Sequence, residues 1–95
     1  MPKPKLIFRL HALQRMAERN ITRDVIESVL ESNEVVQTYP DDFPYPSKLL
    51  LGWDGKTPIH FVVAENSQDN ELIVITAYIP DLTRWEADYK RRKQV

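Results

Sequence analysis

His11, Arg15 and Arg19 recur at four-residue steps near the start of the chain, and the only other histidine, His60, falls within an apolar run. With no cysteine present, these two histidines are the only side chains whose ordinary pKa lies near neutrality. An imidazole can take or return a proton there, and a guanidinium grips phosphate oxygens bidentately. The chemistry on offer is proton transfer beside a phosphate, provided that the fold brings these groups together. On a helix, His11, Arg15 and Arg19 fall within an arc of about 80°, away from Leu10, Leu13 and Ala17. A solvated helix face gives the same pattern, so placement must decide.

The elements that would do the placing are legible from periodicity. Leu10, Leu13, Met16 and Ala17 predict a short amphipathic helix over 10–19. Thr22 is a suitable N-cap for a second helix, with Asp24 in its first turn and a stripe of Val25, Ile26, Val29 and Leu30. Residues Glu34 to Tyr39 read as a strand, and Pro40, Pro44 and Pro46 then impose an irregular loop. Three β-rich runs follow, Ser47–Trp53, Ile59–Glu65 and Glu71–Tyr78, joined by Asp54-Gly55 and the polar Asn66–Asn70 as a meander. Leu82, Trp85 and Tyr89 suggest a closing helix that ends in the basic Lys90-Arg91-Arg92-Lys93. The expected class is α+β: two N-terminal helices packed on a four-stranded antiparallel sheet, with a short C-terminal helix, in a single domain over 1–95.

Strand parity allows an expectation for the faces. If Glu65 pairs with Glu71 and Trp53 with Ile59, then Leu49, Leu51, Trp53, Ile59, Phe61, Val63, Ile73, Ile75 and Ala77 share one apolar face for the helices. Lys48, Leu50, Gly52, His60, Val62, Val74, Thr76 and Tyr78 share the other, with Gly52 beside His60 and Thr76 opposite it. A two-residue slip would keep both faces and place Tyr78 or Val74 opposite His60. A glycine within a strand often marks close approach by a ligand or another backbone; the plainer reading, which is preferred for Gly52 on sequence alone, is that it relieves crowding or marks a bulge before the turn.

The 95 residues are 42% hydrophobic and 28% charged, an ordinary composition for one globular domain. A net charge of −1 argues against indiscriminate coating of nucleic acid while leaving a local basic cleft open. Zero cysteines exclude disulfides and thiolate zinc sites. The three-residue apolar run before Arg9 is too short for a signal-peptide core or a membrane span, so a cytoplasmic location is the expectation. There is no glycine-rich phosphate loop, no Gly-x-Ser-x-Gly elbow and no standard nucleic-acid-binding motif. Two histidines 49 positions apart make a weak metal pair, and no cofactor is expected.

The segments His11-Ala-Leu-Gln-Arg15-Met-Ala-Glu-Arg19-Asn-Ile, Tyr45-Pro-Ser47-Lys48, His60-Phe-Val-Val and Ile75-Thr76-Ala-Tyr78 resemble a family of small bacterial proteins long classed as of unknown function. That family looks like a branch of the RelE/barnase-like ribonuclease toxins of toxin–antitoxin systems, and the likeness runs from His11 to Arg92. The resemblance implies two helices against a four-stranded antiparallel sheet, metal-independent RNA cleavage, often ribosome-associated, and neutralisation by a small antitoxin protein. It points to His11, Arg15, Arg19, His60, Thr76 and Tyr78. His60, His11 and Tyr78 are then the expected proton-transfer groups, and Arg15, Arg19, Lys48, Thr76 and Gly52 the expected substrate contacts. Expected partners are RNA, the antitoxin and, in a homodimer, a second copy of the chain; no membrane is involved. Such toxins are usually basic, and this chain departs from that pattern. The competing reading is a non-catalytic protein- or nucleic-acid-binding module of the same fold, using Trp85, Tyr89 or the basic tail. A hydrolase for a small phosphorylated ligand would need a deeper pocket than this sheet suggests.

Overall fold

In the computed structural model, residues 3–94 are described. Helix α1 spans Leu10–Glu18 and buries Ala12 and Met16, four residues apart on one side. Asn20, in the left-handed region at φ 56°, ends it, and the Ile21 N–H returns to the Met16 carbonyl at 2.9 Å. Helix α2, Arg23–Glu31, is capped by Thr22, whose hydroxyl accepts from the Val25 N–H at 3.2 Å. It buries Ile26 and Val29.

Five strands form a single mixed sheet: β1 Lys5–Phe8, β2 Glu34–Tyr39, β3 Ser47–Asp54, β4 Thr57–Asn66 and β5 Glu71–Tyr78. Their order is β1-β5-β4-β3-β2. The expectation of a four-stranded, wholly antiparallel sheet is therefore corrected. The short Lys5–Phe8 run, too brief to show a period, pairs parallel to β5 from Lys5↔Glu71 to Phe8↔Val74. Its Leu6 and Phe8 pack on the edge of the core.

The C-terminal helix is corrected as well: no helix occurs after β5 among the described residues. Asp81 and Asp88 instead draw backbone N–H groups into two turns, the first at Thr83 and Arg84, the second at Lys90 and Arg91. Tyr89, at φ 58°, reverses the chain so that Trp85 and Arg92 meet as an antiparallel bridge. Side-chain acceptors offered to the backbone have outcompeted the helix that the Leu82, Trp85 and Tyr89 spacing suggested.

Register also differs from expectation. Asp54 pairs with Thr57 around a two-residue loop whose first residue, Gly55, alone has positive φ (61°), the pattern of a type II′ turn. Leu51 therefore lies opposite His60, and Gly52 opposite Ile59. Between β4 and β5, His60 pairs with Tyr78 and Val62 with Thr76, after which the register shifts so that Val63 meets Val74 and Ile75 is the extra, bulged residue. The helices consequently cover Leu50, Ile59, Phe61, Val63, Val74 and Ala77. Leu49, Leu51, Trp53, His60, Val62, Thr76 and Tyr78 face the other way.

Gly52 thus lies under α2 rather than beside His60. A Cβ there would stand 2.5 Å from the Cβ of Val29, so the glycine permits the close approach of the helix. No helix among the described residues is long and apolar enough to cross a membrane.

Candidate functional site

The face opposite the helices is roofed by the segment after β5, and His60 lies under that roof. It is fully buried, with the ring of Trp85 edge-on at 4.5 Å and that of Tyr78 at 5.2 Å. Its Nε2 is 2.7 Å from the Tyr89 carbonyl, which can only accept, so Nε2 carries the proton and donates. Burial lowers the imidazole pKa, opposed by the Tyr89 bond, and the ring is neutral at pH 7. Its Nδ1 is then an acceptor, and the Tyr78 hydroxyl donates to it at 3.1 Å. Burial also raises the Tyr78 pKa, against the lowering effect of Arg92 and with a further rise from Tyr39, so Tyr78 is a neutral phenol. The result is one directed chain, Tyr78 O–H to His60 Nδ1 and His60 Nε2–H to the Tyr89 carbonyl.

Tyr78 joins this chain to solvent, because it also lines a cleft of about 290 Å³. α1 runs along β5, so the stripe that flanks its buried Ala12 and Met16 reaches the cleft through Arg15 and the half-buried Arg19. β5 contributes Thr76 and Tyr78, and the C-terminal segment contributes Arg84 and Arg92. None of these four arginines is within ion-pair distance of a carboxylate among the described residues. Arg92 lies over the Trp85 ring at 5.5 Å. Asp81 also borders the cleft, its carboxylate held below the usual range chiefly by the Thr83 hydroxyl and then by backbone N–H groups. Four convergent guanidiniums against one occupied carboxylate make the cleft cationic, although the chain carries −1 overall.

Of the residues singled out in the sequence, Arg15, Arg19, Thr76 and Tyr78 share this cleft, and His60 backs it through Tyr78. His11 lies one turn away, in a separate, largely apolar pocket with Arg9 and the loop after β2. Lys48 lies elsewhere, paired with Glu65 at 2.5 Å, and Gly52 is on the opposite face under Val29. Arg84, Arg92, Trp85 and Tyr89 complete the site without having been assigned to it. The basic tail and its aromatics were visible, but an exposed helix offered no reason to fold them back over His60.

Fold and site together define a small mixed-sheet protein with a cationic cleft beside a half-exposed tyrosine hydrogen-bonded to a buried histidine. The chain belongs to the family described as Domain of unknown function (DUF4258), whose model matches residues 8–79. That match contains α1, the sheet from β2 to β5, Tyr78 and His60, and stops before Arg84 and Arg92. No curated protein and no solved structure matches the chain.

Proposed function

We propose that this protein is a metal-independent endoribonuclease, with Arg15, Arg19, Arg84 and Arg92 holding the scissile phosphate and the Tyr78–His60 pair moving the proton. The observation that carries this reading is a single cleft lined by four arginines, none in an ion pair among the described residues, and by the one hydroxyl that is hydrogen-bonded to a buried neutral imidazole. The Tyr78 oxygen takes the proton of the ribose 2′-hydroxyl while its own proton passes to His60 Nδ1. The 2′-oxygen bonds to phosphorus, the bond to the 5′-oxygen breaks, and a 2′,3′-cyclic phosphate remains. The imidazolium returns its proton through Tyr78 to the departing 5′-oxygen, restoring the starting state. The Tyr89 carbonyl steadies the transient imidazolium at Nε2, and the arginines stabilise the charge growing on phosphorus. His60 thus acts through Tyr78, because its ring is closed to direct contact with substrate.

The resemblance of the α1, β4 and β5 motifs to RelE/barnase-like toxins supports the same chemistry. It extends the reading to a toxin component, acting on free or ribosome-bound RNA in the cytoplasm and held in check by a small antitoxin. One observation favours the alternative of a non-catalytic phosphate-binding module: no histidine opens directly into the arginine cleft.

The test is cleavage of mixed-sequence RNA, naked and ribosome-bound, by purified protein in EDTA. Cleavage to cyclic-phosphate ends is expected. Tyr78→Phe should lower the rate by about 10²–10⁴-fold, and Arg15→Ala by roughly 10²–10³-fold, both with unchanged circular dichroism. Arginine-dependent RNA binding without cleavage on either substrate would establish the binding module instead.

A further inference from the structure

We infer that the apolar pocket next to the arginine cleft is a subsite for an unpaired nucleobase, stacked on Phe43, of the same RNA strand whose phosphate the arginines hold. This rests on RNA being the ligand of the cleft. The pocket, about 360 Å³, is formed where the β2–β3 loop brings Phe43, Pro44 and Tyr45 over Ala64 and Ile75. Ile75 reaches it because it is the bulged residue of β5, released from strict alternation. Arg9 and His11 supply its polar rim, and the neighbouring carboxylate of Asp42 is occupied by the Ser47 hydroxyl at 2.5 Å.

Two features select a base as occupant. First, Phe43 is 96% exposed, the most open of the large apolar side chains, yet it stands over a concave apolar floor rather than on a convex surface. A flat π-face open to solvent above an apolar pocket is the surface on which bases stack, with little regard to sequence. Second, the pocket continues the cleft. Ile75 lines one and Thr76, the next residue, lines the other; His11 and Arg15 do the same from α1, one turn or about 5.4 Å apart. A strand laid along α1 would meet guanidiniums at its phosphate and, at the next step, an aromatic ring. Phosphate binding gives affinity without distinguishing bases from bare backbone, so the subsite is what would make the ligand a nucleic acid.

Binding of two labelled oligomers by fluorescence anisotropy tests this. One is a single-stranded 2′-O-methyl RNA hexamer, which cannot be cleaved; the other is a ribose-phosphate oligomer of equal length without bases. The wild type should bind the hexamer about tenfold more tightly, within the range expected for stacking one base on an aromatic ring. Phe43→Ala should bring the hexamer down to the abasic level without changing abasic binding, and Phe43→Trp should keep the preference. Arg15→Ala should weaken both ligands together. Equal, Arg15-dependent binding of both oligomers by the wild type would overturn the subsite and leave the phosphate cleft standing. Binding of neither would overturn the RNA reading, and the subsite with it. A preference that survives in Phe43→Ala would show that the ring serves another purpose, such as a protein contact, and would overturn the proposal as well.

Discussion

The two faces of the sheet are closed by different means. On one, α1 and α2 lay Ala12, Met16, Ile26 and Val29 onto Phe61, Val63, Val74 and Ala77, and every one of these is buried. On the other, an irregular segment crosses His60, held by turns at Asp81 and Asp88, by Trp85 and by the Tyr89 carbonyl, while Val62, Thr76 and Tyr78 stay half-exposed beside it. Apolar closure fills the space between α1, α2 and the centre of the sheet, leaving a groove only at its margin, where Arg23, Glu27 and Leu30 of α2 face Leu6 and Leu72. Polar closure over a short segment leaves the arginine cleft at its border, and the apolar pocket opens farther along β5, under the β2–β3 loop. Most of the apolar core lies on one side of the sheet, while the arginine cleft opens where α1 meets the roof over the other.

The largest effect that tests this division is Phe61→Ala. Phe61 is wholly enclosed between sheet and helices, and truncating such a ring costs about 3–5 kcal/mol, enough to consume much of a small domain's stability. Urea denaturation followed by circular dichroism measures it. A loss under about 1 kcal/mol would mean that the helix face is not the principal core.

Gly52→Ala is the next largest. Because the added Cβ would meet Val29 at 2.5 Å, α2 must move or Val29 must be displaced, and overpacking of this kind costs about 1–3 kcal/mol. Adding Val29→Ala to the same chain should recover part of the loss, so the double variant melts above the sum of the two single effects. A neutral or stabilising Gly52→Ala would break the packing argument.

Gly52 also shows where the sequence was readable and where it was not. Both helices, the Thr22 cap and the four later strands follow from periodicity and turn chemistry to within a residue or two. The pairing of strands does not, because parity only relates residues once a turn has been chosen. A two-residue loop at Gly55-Lys56 in place of a longer one turns β3 over, carrying Leu50 and Gly52 to the helices and Leu51 to His60. The Ile75 bulge does the same within β5, which is how Val74 joins the core while Thr76 and Tyr78 keep the cleft. The Arg15/Arg19 stripe was legible as a face, and its meeting with Thr76 required knowing that α1 runs along β5. Arg84 and Arg92 were illegible as site residues, since their position depends on side-chain turns at Asp81 and Asp88 defeating a helix-like spacing.

The smallest effect concerns the polar face alone. His60 is neutral in the folded protein because burial lowers its pKa, whereas the unfolded chain titrates it near the ordinary value of about 6.5. In the interval between the lowered value and 6.5 the unfolded state binds more protons, so stability rises with pH. The contribution of the buried neutral ring is fully present above about pH 6.5 and is lost progressively as pH falls through that interval towards the folded-state value. A single proton limits the slope to about 1.4 kcal/mol per pH unit. Denaturation midpoints between pH 7.5 and 5 should therefore fall in the wild type and fall less in His60→Gln, which keeps a polar side chain without a titration near neutrality. Tyr78→Phe removes the donor to Nδ1 but leaves the ring buried, so its slope should persist even though the proposed proton transfer is gone. An identical slope in the wild type and His60→Gln would place the pH sensitivity elsewhere. It would also remove the buried neutral imidazole on which the contrast between the two faces depends.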